Sequence, residues 1–407
     1  MTDACKMPWI VSVDDHVTEP PDLWSARLPK RFADRAPRVE RDRARFHWRG
    51  GVFSFDRGDP DGQWCDLWAF EGVEVPLPLI SHAVGFDSVD NLPVTYDEVA
   101  PGCWQKGPRL ADMTTNHVEA SLCFPNVLPR FCGQTFYECD DKELGLLCLQ
   151  AYNDWMIDDW CAGEGRGRLI PLTLVPLWDP DLAATEVRRC AAKGSHAVAF
   201  CENPYELGLP SVHDPRRWWD PFFRACEESE TVVNMHIGSS SQMPTTSPDA
   251  PYEITSILMF QNSMSSMLDF VLAGVFERFP RLVIAYSEGQ IGWLPYAIRR
   301  ADKVWLAPHE HRRGEERLPR APSSYIPGHV YGCIFDDDTA LHCRHLIGMD
   351  QITFEVDYPH SATTFPHTID RAQEMCDEAG LDEDERYKLL RGNAIRAYGL
   401  HRFGIVR

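Results

Sequence analysis

The sequence predicts an α/β fold, a distorted (β/α)8 barrel with a long insertion between strands 1 and 2. Three observations carry the prediction: eight short β-rich runs, helix-periodic or loop-rich stretches between most of them, and acidic and imidazole side chains at the C-terminal ends of runs far apart in the chain. The 407 residues fit one such domain, and 44% hydrophobic residues can bury a large core without disulfides.

The runs fall at residues 9–16, 117–125, 169–177, 196–202, 231–238, 282–289, 329–336 and 351–359. Apolar residues recur at i, i+3 and i+4 over 144–160, 182–192 and 218–228, which predicts helices there. Pro180 suits the first turn of one helix and Asp214-Pro215 that of another, since a first-turn N–H has no partner to lose. The span 20–116 breaks the rhythm: it is rich in Pro, Gly, Asp and Trp, and reads as a lid, a small subdomain or a structural flap. A second irregular stretch, 309–328, is basic and proline-bearing and reads as surface wrapping.

A net charge of −21 argues against nucleic acid and anionic membranes, which are bound through clustered Lys and Arg. The amino terminus shows no basic segment followed by an apolar one, and the most apolar later stretch, 257–275, is interrupted by Gln261, Asn262 and Asp269. A cytoplasmic protein is expected. The 14 cysteines show no CxxC pair or zinc-ribbon spacing and read as free, mostly buried thiols.

Side chains two apart share a face of a strand, and strand C-termini converge on a barrel's mouth. Asp14 and His16 therefore point together, with Asp15 opposite. His236 stands at the end of the fifth run, and Asp357 shares a face with Thr353 and Glu355 in the eighth. Two imidazoles and two carboxylates so placed suit a divalent ion: zinc first, with manganese or iron as alternatives. Each residue alone has an ordinary structural explanation, as a hydrogen-bonded strand-end His or a helix-capping Asp. Their coincidence at strand ends is what favours a metal.

Ser12-Val13-Asp14-Asp15-His16 followed by Glu19-Pro20, then His236-Ile237-Gly238 and Asp357-Tyr358-Pro359-His360, resembles the amidohydrolase superfamily, in the branch of aminocarboxymuconate-semialdehyde decarboxylase. Arg109-Leu110-Ala111-Asp112-Met113, Ala151-Tyr152-Asn153-Asp154-Trp155, Leu174-Val175-Pro176-Leu177 and Gly392-Asn393-Ala394 extend the likeness over nearly the whole chain. The resemblance implies a TIM barrel, one metal ion held by Asp14, His16, His236 and Asp357, and a homodimer. Two departures stand out. The usual His-x-His or Glu-x-His opening is Asp14-x-His16, and the histidine the family often carries after strand 6 is replaced in Ser287-Glu288-Gly289.

Asp357, Glu288 and His360 are accordingly the candidate catalytic groups, although Glu288 could equally salt-bridge Arg299 or Arg300. Glu202, Phe124 and Trp293 are candidate contacts for a small substrate; a solvated or capping Glu202 and core aromatics are the structural alternatives. The expected reaction is decarboxylation of a small aromatic or cyclic carboxylate. Metal-dependent hydrolysis of an amide, ester or lactone and a catalytically inactive metal-binding barrel are the alternatives.

Overall fold

The computed structural model describes residues 7–49, 52–87, 90–307 and 318–406. Strand β1 (Ile10–Val17) is buried along its whole length and pairs in parallel with β6 (Val118–Pro125) and β13 (Ile352–Phe354). The ladder continues through β12 (Val330–Ile334), β11 (Ile284–Ser287), β10 (Val232–His236) and β9 (Ala197–Ala199), all parallel. The ends of this sheet are β7 (Leu169–Ile170), beside β6, and β8 (Leu172–Thr173), beside β9. Only Pro171 separates these two, and proline has no N–H to give a ladder. One interrupted segment thus joins both edges and makes the third stave of an eight-stave ring. Each of the eight predicted runs contributes one stave.

Helices cover the outside. Lys142–Trp155 starts on Asp141, whose carboxylate accepts the Leu144 N–H, and continues into a wider turn over Met156–Trp160. Pro180–Ala192 is capped by Asp179, as the Asp-Pro pair predicts. The other Asp-Pro pair is corrected by the structure: the helix there is Asp220–Glu228, and Asp214 instead accepts the Arg216 N–H in a tight turn. Every described cysteine is a free thiol, and all but Cys343 are buried. No described helix is long and apolar enough to cross a membrane.

The insertion is built around a four-stranded antiparallel sheet of β2 (Arg38–Arg49), β3 (Val52–Arg57), β4 (Gln63–Phe70) and β5 (Val73–Pro76), in the order β3-β2-β4-β5. Trp68 and Phe70 on β4 are buried, with Trp68 edge-on to Trp24 at 4.9 Å. Trp24 in turn donates to the Cys148 carbonyl of the Lys142–Trp155 helix. Further along, the N–H groups of Ala83 and Ser361 donate to Pro359 and Ile80 carbonyls, and the Tyr96 hydroxyl donates to the Glu19 carbonyl. The insertion is therefore stitched to the C-terminal ends of β1 and β13. The expectation for 309–328 lies outside the described residues over 309–317; the described part includes a short helical turn at Pro322–Tyr325.

Candidate metal centre

Local backbone geometry brings the predicted ligands together. β1 shifts register against β6 between Ser12 and Asp15. Asp15 faces away from the barrel mouth, accepting from Ser12 Oγ, Ser121 Oγ and the Tyr358 N–H. Asp14 and His16 face inward from the same strand, and the Asp357 N–H donates to the Asp14 carbonyl at 3.0 Å. His236 is the last residue of β10. Glu288 and Asp357 lie beyond the ends of β11 and β13, both with left-handed backbone, at φ 54° and 56°. Non-glycine residues rarely adopt that conformation, and it clusters at functional sites. The strand alternation expected through 351–359 stops at Phe354; Asp357 reaches the centre by this turn instead.

The side chains converge. His16 Nε2 lies 3.2 Å from His236 Nε2, 3.7 Å from Asp14 and 3.5 Å from Asp357. His236 Nε2 is 3.7 Å from Asp14 and 3.5 Å from Glu288. His360 Nδ1 stands 3.1 Å from Asp357 and 3.6 Å from Glu288, and its ring stacks on His16 at 3.7 Å. Both carboxylate oxygens of Asp14 and both of Asp357 are buried without a hydrogen-bond partner among the described residues. Buried carboxylates are normally paired, so four orphaned oxygens facing two imidazoles fit a cation. Glu288 and His360 are near enough to add to the donor set.

Electrostatics agree with this donor chemistry. Burial first, then the neighbouring His360 and His236, holds His16 well below its usual range; burial likewise lowers His236. Both are neutral, as ligands must be. His236 Nδ1 is 2.7 Å from the Ile237 carbonyl, which can only accept, so the Nε2 lone pair is free for the centre. Burial, followed by the crowding of Glu355, Glu288 and Asp357, pushes Asp14 well up. Burial opposes ionisation of Glu288 and of His360, yet their partners outweigh it: His236 and then His360 hold Glu288 down at about 2, and Asp357 and then Glu288 lift His360 to about 10.

Partners outside this cluster fix its walls. His360 Nε2 donates to Asn126 Oδ1 at 2.8 Å, while Asn126 Nδ2 donates to Thr18 Oγ1 and the Ser81 carbonyl. Glu19 accepts three successive N–H groups, from Asn126, Val127 and Leu128. Arg109 is wholly buried, donating to the His16 and Gly102 carbonyls with its guanidinium 4.1 Å from the Tyr358 ring centre. Phe124 packs against both ligand imidazoles, and Phe131 stacks on His236 at 3.9 Å.

Two predicted substrate contacts stand apart from the ligand cluster. Glu202 is buried beside Ser239 and Ser240, accepting from Ser240 Oγ, and burial pushes it up to about 8. Trp293 donates to the Gly289 carbonyl and borders an outer groove with Phe260, Gln290 and Asp336. Sequence reasoning missed Cys333 and did not assign Glu355, both packed behind Asp14. The shared face of Thr353, Glu355 and Asp357 was the available signal for Glu355.

Comparison with known proteins places this geometry in a family. A model described as amidohydrolase matches residues 45–400. A gamma-resorcylate decarboxylase from a Polaromonas species is 24% identical over 248 residues, covering 56% of this chain and 69% of the relative. A 2-amino-3-carboxymuconate-6-semialdehyde decarboxylase from Dictyostelium discoideum is 23% identical over 322 residues, covering 75% and 79%. Among solved structures, a dihydroxybenzoic acid decarboxylase from Polaromonas with bound manganese and the inhibitor 2-nitroresorcinol superposes with a TM-score of 0.60 at 18% identity, covering 97% of this chain and 98% of that one. The expected barrel, the inward strand-end residues and the match over most of the chain agree, and the protein belongs to the amidohydrolase family.

Proposed function

We propose that this protein is a metal-dependent carboxy-lyase that removes carbon dioxide, without oxidation, from a small aromatic or cyclic carboxylate. The observation that carries the reading is the set of four orphaned carboxylate oxygens on Asp14 and Asp357 facing two neutral imidazoles. The decarboxylase relatives supply the reaction class.

Asp14, His16, His236 and Asp357 would hold one divalent ion. When bound, such an ion supplies a Lewis acid for a substrate carboxylate and an adjacent hydroxyl or keto oxygen. The donor set accepts zinc, manganese or iron; zinc is our first choice from the ligands, and the manganese in the Polaromonas relative supports that ion equally. Asp357, or Glu288 once it has taken a proton from His360, delivers that proton to the substrate carbon as the bond to the carboxyl carbon breaks and carbon dioxide leaves. His360, within 3.1 Å of one carboxylate and 3.6 Å of the other, returns the proton. Phe124 walls the centre, and Glu202 and Trp293 extend contacts to the substrate away from the ligands. The segment 20–116 acts as a lid, supported by its backbone hydrogen bonds to the turn carrying His360. We place the enzyme in the cytoplasm as a homodimer; the free thiols support a reducing compartment.

Elemental analysis of protein purified without added metal, followed by turnover of a panel of hydroxybenzoates, lactones and amides, tests the reading. Carbon dioxide release that a chelator abolishes and a divalent ion restores is the expected result. Incorporation of labelled solvent oxygen into product, without carbon dioxide, would replace it with hydrolysis. Absence of any metal-dependent turnover would leave a binding protein.

A further inference from the structure

Behind the ligand cluster lies a second buried group that no step above uses. Glu355 follows β13, Cys333 lies on β12, and both are fully buried. Glu355 Oε2 accepts the Glu288 N–H at 3.1 Å and the Cys333 thiol at 2.5 Å, while that sulfur also contacts the Tyr286 carbonyl at 3.2 Å. The other oxygen, Oε1, is buried with no hydrogen-bond partner among the described residues. One atom from each of Asp14, Cys333 and Glu355 lies within 4.8 Å of the others. A single side chain therefore touches the backbone of the turn that presents Glu288 and stands against the carboxylate of Asp14.

The geometry points to Glu355 as a positioning residue that sets two parts of the centre at once: the orientation of Asp14 as a ligand, and the left-handed turn at Glu288. Two features carry this. Glu288 has φ 54°, a conformation that costs a non-glycine residue energy and needs an external hold; the Glu355 carboxyl supplies one from the neighbouring chain end. The Asp14 oxygens have no hydrogen-bond partner among the described residues, so the side of Asp14 turned from the histidines is oriented by what packs there. Cys333 fixes Glu355 in turn, bridging it to β11 through the Tyr286 carbonyl. Loss of such outer partners typically costs roughly 10–100-fold in metal affinity.

The inference rests on the proposed metal site, so the test reads metal before activity. Metal affinity is measured by competition with a chromophoric chelator, and ligand geometry by the visible spectrum of the cobalt(II)-loaded protein. The variants are Glu355→Gln, Glu355→Leu, Glu355→Asp and Cys333→Ser. Glutamine keeps an acceptor for the Glu288 N–H and offers an N–H to Asp14. It is expected to stay within a few-fold of the parent in affinity, spectrum and kcat. Leucine removes both contacts: affinity should fall roughly 10–100-fold, the cobalt spectrum should change, and kcat should fall more than KM changes. Should the leucine variant fail to fold, aspartate, one methylene short of both contacts, is expected to show the same losses. Cys333→Ser, which keeps a donor to Glu355, should resemble glutamine.

Three results overturn the inference: leucine or aspartate variants with unchanged affinity and spectrum, a glutamine variant as damaged as leucine, or two ions per parent chain with one lost on removing Glu355. The last would make Glu355 and Cys333 ligands of a second ion. A parent protein that binds no divalent ion overturns the functional reading itself, and is distinguished because it appears before any variant is made.

Discussion

The barrel mouth and the inserted sheet handle charge in opposite ways. At the mouth, Asp14, Asp357 and Glu355 are fully buried, and five of their oxygens have no hydrogen-bond partner among the described residues. On the inserted sheet, carboxylates gather around partly exposed arginines: Arg57 pairs with Glu40, Asp42 and Glu74, and Arg41 with Asp66 and Asp97. Matched surface pairs contribute little to stability each, whereas unmatched buried carboxylates oppose folding unless a cation or proton joins them. Acidic residues on the sheet serve local structure; those at the mouth mark a place where something positive binds.

Asp357→Asn should break the mouth hardest. Catalytic turnover is expected to fall at least roughly 10³-fold, as when a group acting in both binding and proton transfer is removed. The far-UV spectrum should be unchanged. In metal-stripped protein Asp14→Asn, which removes one crowded carboxylate and leaves the Asp357–His360 pair in place, should melt above the stripped parent; a lower melting point would mean the oxygens are not in conflict. His360→Gln comes next, with a fall in kcat of about 10²-fold and metal content unchanged by elemental analysis. A variant that instead loses its metal would make His360 a ligand.

His82 sharpens the comparison from a position between the two regions. It is buried in the insertion, with Nδ1 2.7 Å from the Pro78 carbonyl and Nε2 2.9 Å from Thr18 Oγ1. Burial holds it at about 4, against 6.5 when free. Folding therefore favours the neutral ring: its contribution is complete above pH 6.5 and is lost as pH falls toward 4. The full loss is at most about 3 kcal/mol. Denaturant unfolding of His82→Asn across that range should show a shallower decline than the parent, and parallel curves would refute the assignment. The smallest effect belongs to the sheet: Arg57→Ala should move the melting temperature by no more than about 2 °C, read by calorimetry at low and high salt.

The sequence made the staves legible because buried parallel strands read as short β-rich runs, and it made Asp14, His16 and His236 legible because they sit inside strands or at a strand end. Asp357 is grouped with Asp14, His16 and His236 by an alternation that ends three residues before it. Its left-handed φ, like that of Glu288, depends on neighbours such as the Asp14 carbonyl and Glu355, which no local pattern encodes. The inserted sheet was hidden for another reason. In β2 the first half, Arg38–Arg43, carries charge on both faces, so the alternation Ala44-Arg45-Phe46-His47-Trp48-Arg49 marks only the second half, inside a stretch whose Pro, Gly and Asp content reads as irregular. At Asp214-Pro215 a turn and a helix start share one signature, and the turn prevailed.

Pro171 leaves one stave of the ring with a gap in its ladder. All of the proposed ion-holding side chains hang from the arc β1-β13-β12-β11-β10, while the proline-split stave lies in the remaining arc between β6 and β9, held on each side by pairings of two residues. Within the first arc β1 and β13 share the single ladder pair Ser12–Phe354, and the Asp357 N–H on the Asp14 carbonyl fastens the same seam. One backbone bond therefore serves both the closure of the ring and the delivery of Asp357 to its mouth.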